Sequence, residues 1–169
     1  MIIIGIDPGK TGAAVGINDK MHTMVIRARC YYAGSDLVPS SLAASLREIR
    51  RDLGGGDVFV VTEVQQSMPK QGLSSTFRTG LNYGRILGTV EGIGWRLETL
   101  RATAWRKLAR ITVGRGSDPK QATIAEVSRR LPDLALIPKG CRVPQDGIAD
   151  AAGMCLAGLV LERGRGAPE

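Results

Sequence analysis

Two short runs of β-branched apolar residues constrain the fold of this chain more than any other feature. The first occupies residues 2–6 and the second residues 58–61. Runs of this length and composition are typical of strands buried on both faces of a sheet. Between them, apolar residues recur at three- or four-residue steps over 42–53, which predicts an amphipathic helix. A strand–helix–strand order favours a parallel arrangement of the two strands.

The remaining patterns complete an α/β domain. Turn residues separate the first run from two further predicted strands, at 13–17 and 21–27. A fifth strand is predicted at 95–100, and the other helices are predicted at 73–92, 102–109, 119–131 and 146–161. We therefore expect one α/β domain over 1–162, in which a five-stranded mixed sheet (three antiparallel strands, then two parallel) is flanked by helices. Residues 163–169 are predicted to be a disordered tail.

The charge balance narrows the class of partner. The 169 residues include 23 Lys plus Arg and 16 Asp plus Glu, a formal net charge of +7. This excess makes polyanions the first partners to consider, although a basic protein without such a partner fits the charge equally well.

One His and three Cys without ligand spacing argue against a zinc site or a disulfide framework. No apolar run reaches the roughly 18–20 residues of a membrane span and no leader is evident, so we expect no membrane segment and a cytoplasmic location, in a bacterial or phage-infected cell.

A carboxylate ends each of the two apolar runs. Asp7 directly follows the first run, and Glu63 ends the second strand. Parallel strands end at the same rim of a sheet, and ligands of open α/β sheets bind outside that rim. The structural alternatives are an Asp7 that caps the Pro8–Gly9 turn and a Glu63 that pairs with a basic residue at the sheet edge.

Two further carboxylates lie at the start of the last predicted helix. Asp146 and Asp150 are four residues apart, which places both on one helix face. A helix cap would explain Asp146 but not Asp150. If all four acids converge, they repel one another, and divalent cations relieve that repulsion. Mg²⁺ or Mn²⁺ prefers oxygen ligands, and two such ions can drive phosphodiester hydrolysis. We therefore predict Asp7, Glu63, Asp146 and Asp150 as ligands of two Mg²⁺ ions, which Mn²⁺ can replace.

Several motifs in order along the chain resemble RuvC-type Holliday junction resolvases. They are Ile-Gly-Ile-Asp-Pro-Gly-Lys-Thr-Gly at 4–12, the Glu63 that follows Val-Phe-Val-Val-Thr, and Asp-Gly-Ile-Ala-Asp-Ala at 146–151. The middle of the chain is similar to the chloroplast-type resolvases and their phage and bacterial relatives, through the segments at 69–72, 77–84 and 104–106. The resemblance covers about residues 2–160 and implies a ribonuclease H-like fold.

The resemblance also assigns the metal ligands position by position. Asp7, Glu63 and Asp150 match catalytic metal ligands of the family directly. The fourth ligand differs between branches: an acid three residues before the last one, where Gly147 stands here, or a His four residues before it, where Asp146 stands. We assign Asp146 as the fourth catalytic ligand.

Contacts with DNA follow from the same resemblance. The family has a Ser/Lys element that reaches the scissile phosphate, and Ser117 and Lys120 are the candidates here, with Lys120 predicted to be catalytic. A solvated lysine in the first helical turn is the alternative for Lys120. Bacterial members insert an aromatic side chain at the junction, and Met68 or Phe77 is predicted to replace it. The other predicted DNA contacts are Lys70, Gln71, Arg78 and Arg115.

Other prominent side chains have a structural interpretation. The predicted helix at 73–92 carries an apolar face that is either core or the homodimer interface of the family, and Gly80, Gly84 and Gly88 require close packing of its backbone. Trp95 and Trp105 are expected in the core. A solvated face is expected for the basic residues Arg106, Lys107, Arg110, Arg129 and Arg130.

The implied function is that of a homodimeric, Mg²⁺-dependent endonuclease. It would resolve four-way DNA junctions by symmetric nicks that leave 5′-phosphate ends, and two active sites related by a two-fold axis match that substrate. Two alternatives stay open: a ribonuclease H-like nuclease for other branched DNA or for RNA, and a module that binds junctions without cutting them. An actin-like kinase would need a duplicated domain, which 169 residues cannot hold.

Overall fold

The computed structural model describes residues 1–66 and 72–165, and its centre is a five-stranded sheet. The strands in chain order are β1 (Ile2–Ile6), β2 (Ala13–Asn18), β3 (Thr23–Arg27), β4 (Tyr32–Ala33), β5 (Asp36–Leu37), β6 (Val58–Glu63) and β7 (Arg96–Leu100). The sheet has the order β3-β2-β1-β6-β7, while β4 and β5 pair separately as a small hairpin. Strands β1 to β3 are antiparallel, and β6 and β7 run parallel to β1, which confirms the predicted mixed sheet.

Helices cover both faces of the sheet. They are α1 (Pro39–Asp52), α2 (Leu73–Gly92), α3 (Ala102–Leu108), α4 (Pro119–Arg130) and α5 (Asp146–Arg165), with a 3₁₀ turn at Ala28–Cys30. One hydrophobic core lies between the sheet and α3, α4 and α5, and a second lies between the sheet and α1 and α2. The molecule therefore has three layers, with β1 in the central position of the middle layer.

Alternation along the two central strands decides which layer each side chain faces. In β1, Ile2, Ile4 and Ile6 enter the core against α1 and α2, while Ile3 enters the core against α5. Side chains alternate between the faces of a strand, so Asp7, directly after β1, follows Ile3 and Gly5 toward α5. In β6, Phe59 and Val61 lie on the α5 side, and Glu63 continues that series. Both carboxylates are thus directed to the same side of the same rim.

Two features differ from the predicted organisation. The hairpin of β4 and β5 lies between the predicted strand at 21–27 and the predicted helix at 42–53, where no strand was predicted. Each of its strands has only two residues and leaves no alternating pattern to detect. Helix α5 continues to Arg165, three residues beyond the predicted domain end at 162. Residues 166–169 of the predicted tail lie outside the described residues. None of the helices in the described ranges is both long and apolar enough to cross a bilayer.

Candidate active site

Asp7 and Glu63 stand side by side at the carboxyl ends of β1 and β6. The two strands pair in parallel with Ile6 opposite Thr62. The next residues, Asp7 and Glu63, are therefore neighbours at the same rim of the sheet. The Thr62 hydroxyl donates a hydrogen bond of 2.9 Å to the carbonyl of Ile6, which ties the two strand ends directly below the carboxylates. The predicted convergence of these two residues is therefore present.

Close packing of α5 on β1 brings the other two carboxylates to this rim. A methyl group added at Gly5 would lie 1.9 Å from the carbonyl oxygen of Ala151, so only glycine allows this approach. The amide of Gly5 also donates a hydrogen bond of 3.0 Å to the Cys155 thiol. The first turn of α5, with Asp146 and Asp150, consequently lies over the ends of β1 and β6, where the positive end of the helix dipole stabilises carboxylates.

Gly147 lies in contact with Asp7 and the turn that follows it. A Cβ at Gly147 would come within 2.7 Å of Asp7 Oδ2 and within 2.7 Å of the Cα of Gly12. A Cβ at Gly12 would likewise lie 2.6 Å from Asp7 Oδ2. An acidic side chain three residues before Asp150 therefore has no room in this protein, and the position four residues before it, Asp146, is the one that remains.

Each of the other three carboxylates has a polar neighbour from α3 or α4. The indole of Trp105 donates a hydrogen bond of 2.7 Å to Glu63 Oε2. A guanidinium nitrogen of Arg106 lies 3.7 Å from Asp150 Oδ1. The Lys120 ammonium donates to Asp146 Oδ2. Lys120 is placed by the start of α4, where Asp118 accepts a hydrogen bond from its backbone amide and Pro119 opens the helix.

The pKa values report how strongly the four carboxylates interact. Burial raises the pKa of Asp7 from its ordinary value of 3.8 to about 7, and the negative charges of the other three acids add to this rise, Asp150 most. Burial also raises the pKa of Asp150 to about 6, although the Arg106 guanidinium opposes part of the increase. In contrast, the hydrogen bond from Lys120 lowers the pKa of Asp146. The centre of the cluster is therefore short of positive charge.

The donor set fits a hard divalent cation. It consists of carboxylate oxygens, which Mg²⁺ and Mn²⁺ prefer, and Asp150 Oδ1 is buried with no hydrogen-bond donor among the described residues. Within residues 1–66 and 72–165, no three acidic, His or Cys side chains stand close enough together to hold one ion as placed. Glu63 and Asp146 are drawn instead toward Trp105 and Lys120.

The other sequence-predicted residues have different outcomes. Arg106 was expected on a solvated face, but this expectation is wrong: its side chain is 16% exposed, lies beside Asp150 and covers the Trp105 ring at 4.5 Å. Trp105 is in the core, as expected, and also contacts Glu63. Arg78, Arg115 and Ser117 are on the surface, and their DNA contacts stay predictions. Met68, Lys70 and Gln71 lie outside the described residues.

Trp105 and Arg106 contact the carboxylates but are not among the predicted site residues, although the sequence contains one signal for them. Trp105 and Arg106 belong to the Ala-Trp-Arg segment already singled out for its resemblance to the chloroplast-type branch. Their roles could not be assigned from sequence, because one Trp and one Arg in a short helix fit a core and a solvated face equally well. Only the packing of α3 against α5 places them beside Glu63 and Asp150.

Comparison with solved structures places this architecture among the RuvC-type, ribonuclease H-like folds. The chain superposes on RuvC of Thermus thermophilus in complex with a Holliday junction substrate, with a TM-score of 0.59, 17% sequence identity and coverage of 96% of both chains. A second Thermus thermophilus RuvC structure gives a TM-score of 0.59 and 18% identity, over 98% of this chain and 97% of that one. At this identity the likeness establishes the fold.

A yeast protein supplies a further example of the same fold. The yeast mitochondrial Holliday junction resolvase Ydc2 matches with a TM-score of 0.54 and 16% identity, over 95% of this chain and 78% of that chain. No family model and no curated protein matches the sequence. The predicted resemblance to RuvC-type resolvases is thus confirmed in the fold, and closeness to the chloroplast-type branch stays a prediction.

Proposed function

We propose that this protein is an endonuclease that resolves four-way DNA junctions. The observation that carries the proposal is the convergence of four carboxylates at one sheet rim, with a basic residue at their edge, on a RuvC-type fold. A net charge of +7 on the whole chain attracts DNA, while the acidic centre needs cations that can also bind the phosphate. A module that only binds DNA has no use for such a costly acidic cluster.

The metal ligands proposed are Asp7, Glu63, Asp146 and Asp150. Mg²⁺ bound there would polarise the scissile phosphate and make water a better nucleophile, the chemistry that divalent ions supply in phosphodiester hydrolysis. Two ions would bring the formal charge of the four carboxylates from −4 to zero, and Mn²⁺ offers the same coordination preferences. The proposed products carry 5′-phosphate and 3′-hydroxyl ends.

Neighbouring side chains prepare the carboxylates for this work. Trp105 fixes Glu63 through its indole hydrogen bond, and the charge of Arg106 lies 3.7 Å from Asp150. Lys120 is 58% exposed, so it can leave Asp146 and contact a non-bridging oxygen of the phosphate. Its departure would release Asp146 toward the centre of the cluster. Lys120 is therefore proposed as the catalytic cation that contacts the scissile phosphate, and Arg115 and Ser117 are proposed as DNA contacts.

The proposed activity is tested with defined DNA substrates. The protein is incubated with a synthetic four-way junction, a Y-fork and a linear duplex, each with Mg²⁺ or with EDTA. We expect paired symmetric nicks at the junction with Mg²⁺, 5′-phosphate ends and no products with EDTA. Equal cutting of the linear duplex would contradict junction selectivity, and tight junction binding without cutting under any divalent ion would favour the binding module.

We also propose that the enzyme is a homodimer that pairs through the outer face of α2. On that face Leu73 is 91% exposed, Phe77 72% and Leu81 39%. Gly80, Gly84 and Gly88 were expected to pack closely against a neighbouring element. Among the described residues nothing lies within 4 Å of a Cβ built at any of the three, so this packing partner is absent. The opposite face, with Ile86 and Val90, belongs to the core. A second copy of α2 would cover both the apolar side chains and the glycine backbone.

The dimer proposal predicts that Leu81→Asp gives a monomer. Each copy would lose one buried leucine, worth about 1.5–3 kcal/mol, and would bury a charge. We expect the dissociation constant to rise by at least about 100-fold in analytical ultracentrifugation. Ile137→Asp is the control, because Ile137 is 52% exposed on a loop outside α2. A wild-type chain that sediments as a monomer at all concentrations would contradict the proposal.

A further inference from the structure

A cleft lined by hydroxyl, amide and basic residues opens at Pro8 and Gly9, directly after Asp7, on the side of the rim away from α5. Its volume is about 490 Å³, and its walls come from the turn after β1, the hairpin of β4 and β5, and the first half of α2. A cleft of this size accepts a ligand as large as a nucleotide, whereas a DNA duplex is too wide for it. Gln65, two residues after Glu63, also lines it, so the cleft borders the rim that carries the carboxylates.

The charge in this cleft has a single sign. Among its described lining residues the charged ones are Lys10, on the turn after Asp7, and Arg78, on α2. Both side chains are exposed, and neither forms an ion pair with a carboxylate of the described residues. Two cations on different walls, with hydroxyl and amide groups between them, are suited to a polyanion such as a nucleic acid strand, whose phosphates are regularly spaced.

Specific hydrogen bonds fix the walls of the cleft. The Tyr32 hydroxyl donates to the carbonyl of Pro8 at 3.1 Å, which joins the hairpin to the turn that follows Asp7. On the other side, the buried amide of Asn82 donates to the Ser35 carbonyl at 2.9 Å and accepts from the Leu37 amide at 3.0 Å, which joins the hairpin to α2. The cleft is consequently preformed, so binding of a strand there costs little free energy for ordering the walls.

We propose that this cleft is a subsite for the sugar–phosphate backbone of a single DNA strand that leaves the scissile phosphate, with Lys10 and Arg78 contacting its phosphates. The inference rests on the proposed nuclease function, since the cleft continues the rim that carries Asp7. It gives a role to Lys10, which stands in the motif at 4–12 without an assigned role, and to the hairpin, which no motif indicated. At a four-way junction the strands separate, so a subsite that admits one strand and excludes a duplex contributes to selectivity for branched DNA.

The subsite is tested by strand binding in the absence of cleavage. Fluorescence anisotropy measures binding of a single-stranded DNA of about ten nucleotides to the full chain in EDTA, over a range of salt concentrations. Lys10→Ala and Arg78→Ala should each lower the magnitude of the slope of log K against log salt by about 0.7, the loss of one phosphate contact to a single strand. At 0.1 M salt this corresponds to an affinity about fivefold weaker. Lys20→Ala is the matched control, because Lys20 is also exposed but lies on the β2–β3 turn at the opposite rim.

The outcomes separate the subsite from the nuclease function. Unchanged slopes for Lys10→Ala and Arg78→Ala, equal slope changes for Lys20→Ala, or no strand binding by the wild-type chain would each overturn the subsite. If the wild-type chain binds the strand through Lys10 but does not cut a junction with Mg²⁺, the proposed function fails and the subsite holds. Thermal unfolding of each variant, with a melting temperature equal to that of the wild type, confirms that a lost contact rather than misfolding is measured.

Discussion

Asp7→Asn should abolish cleavage of a four-way junction while leaving junction binding intact. Asn keeps the shape of the side chain but removes the charge that a divalent cation needs, at the position where all four carboxylates interact. We expect a rate at least about 10³-fold lower, which corresponds to about 4 kcal/mol of transition-state stabilisation. Single-turnover cleavage with Mg²⁺ measures the rate, and gel-shift titration in EDTA measures the dissociation constant, which should change by less than about twofold.

The same substitution should stabilise the metal-free protein. The pKa of Asp7 is raised to about 7 in the folded state from an ordinary value of 3.8. The unfolded chain therefore releases this proton at lower pH than the folded chain, so folding stability falls as the pH rises from about 4 to about 7 and stays low above that. Asn cannot ionise, so the variant avoids this loss, and its advantage over the wild type should grow across that pH window.

The size of this gain can be measured by thermal unfolding in EDTA at pH 4 and pH 8. We expect a difference near zero at pH 4 and on the order of 2 kcal/mol at pH 8, below the full conversion of the pKa shift because an edge of Asp7 reaches solvent. For a chain of this length that is about 4–8 °C in Tm. Asp19→Asn, at an exposed turn on the opposite rim, should change neither cleavage nor Tm.

Two results would contradict the assignment of Asp7. Cleavage by Asp7→Asn at a rate near that of the wild type would remove it from the catalytic centre. Destabilisation of the metal-free variant at pH 8 would mean that the carboxylate forms favourable contacts which outweigh its burial and the repulsion by its neighbours. Loss of activity together with a gain in stability is a combination that a purely structural role for Asp7 does not produce.

The sequence predicted the rim of the sheet well because local signals act there. The runs before Asp7 and Glu63 are apolar and β-branched, which identifies buried strands, and the intervening helix makes them parallel. Period-two alternation then directs both carboxylates toward one layer. The four-residue spacing of Asp146 and Asp150 places them on one face of α5. Each of these inferences needs only a local residue pattern or the order of consecutive elements along the chain.

The parts that were not predicted depend on contacts between distant segments. Arg106 reaches Asp150 only because α3 packs against α5, and nothing around it in the sequence distinguishes it from a surface arginine. The hairpin at 32–37 owes its position to Asn82, which is 45 residues away from Leu37 along the chain. A glycine such as Gly147 lowers the stability of a helix by itself. Its structural role follows only from the close contact of α5 with Asp7 at this position.

Gly147→Ala should sharply reduce cleavage without changing any charged group. The added Cβ would lie 2.7 Å from Asp7 Oδ2 and 2.9 Å from the Thr11 carbonyl, distances that non-bonded atoms do not tolerate. Because the opposing atoms include backbone, the start of α5 must move away from the turn after β1, and Asp146 and Asp150 move with it. A displacement near 1 Å can cost about 10²-fold in rate, and the strain should lower stability by about 1–3 kcal/mol.

Gly164→Ala is the control within the same helix. No atom lies within 4 Å of a Cβ at Gly164, so the substitution should leave cleavage unchanged and raise stability by up to about 1 kcal/mol through helix propensity. Equal cleavage by Gly147→Ala and the wild type would mean that cleavage does not depend on the close packing of α5 against the turn after β1. The assignment of Asp146 in place of an acid at position 147 would then lose its steric basis.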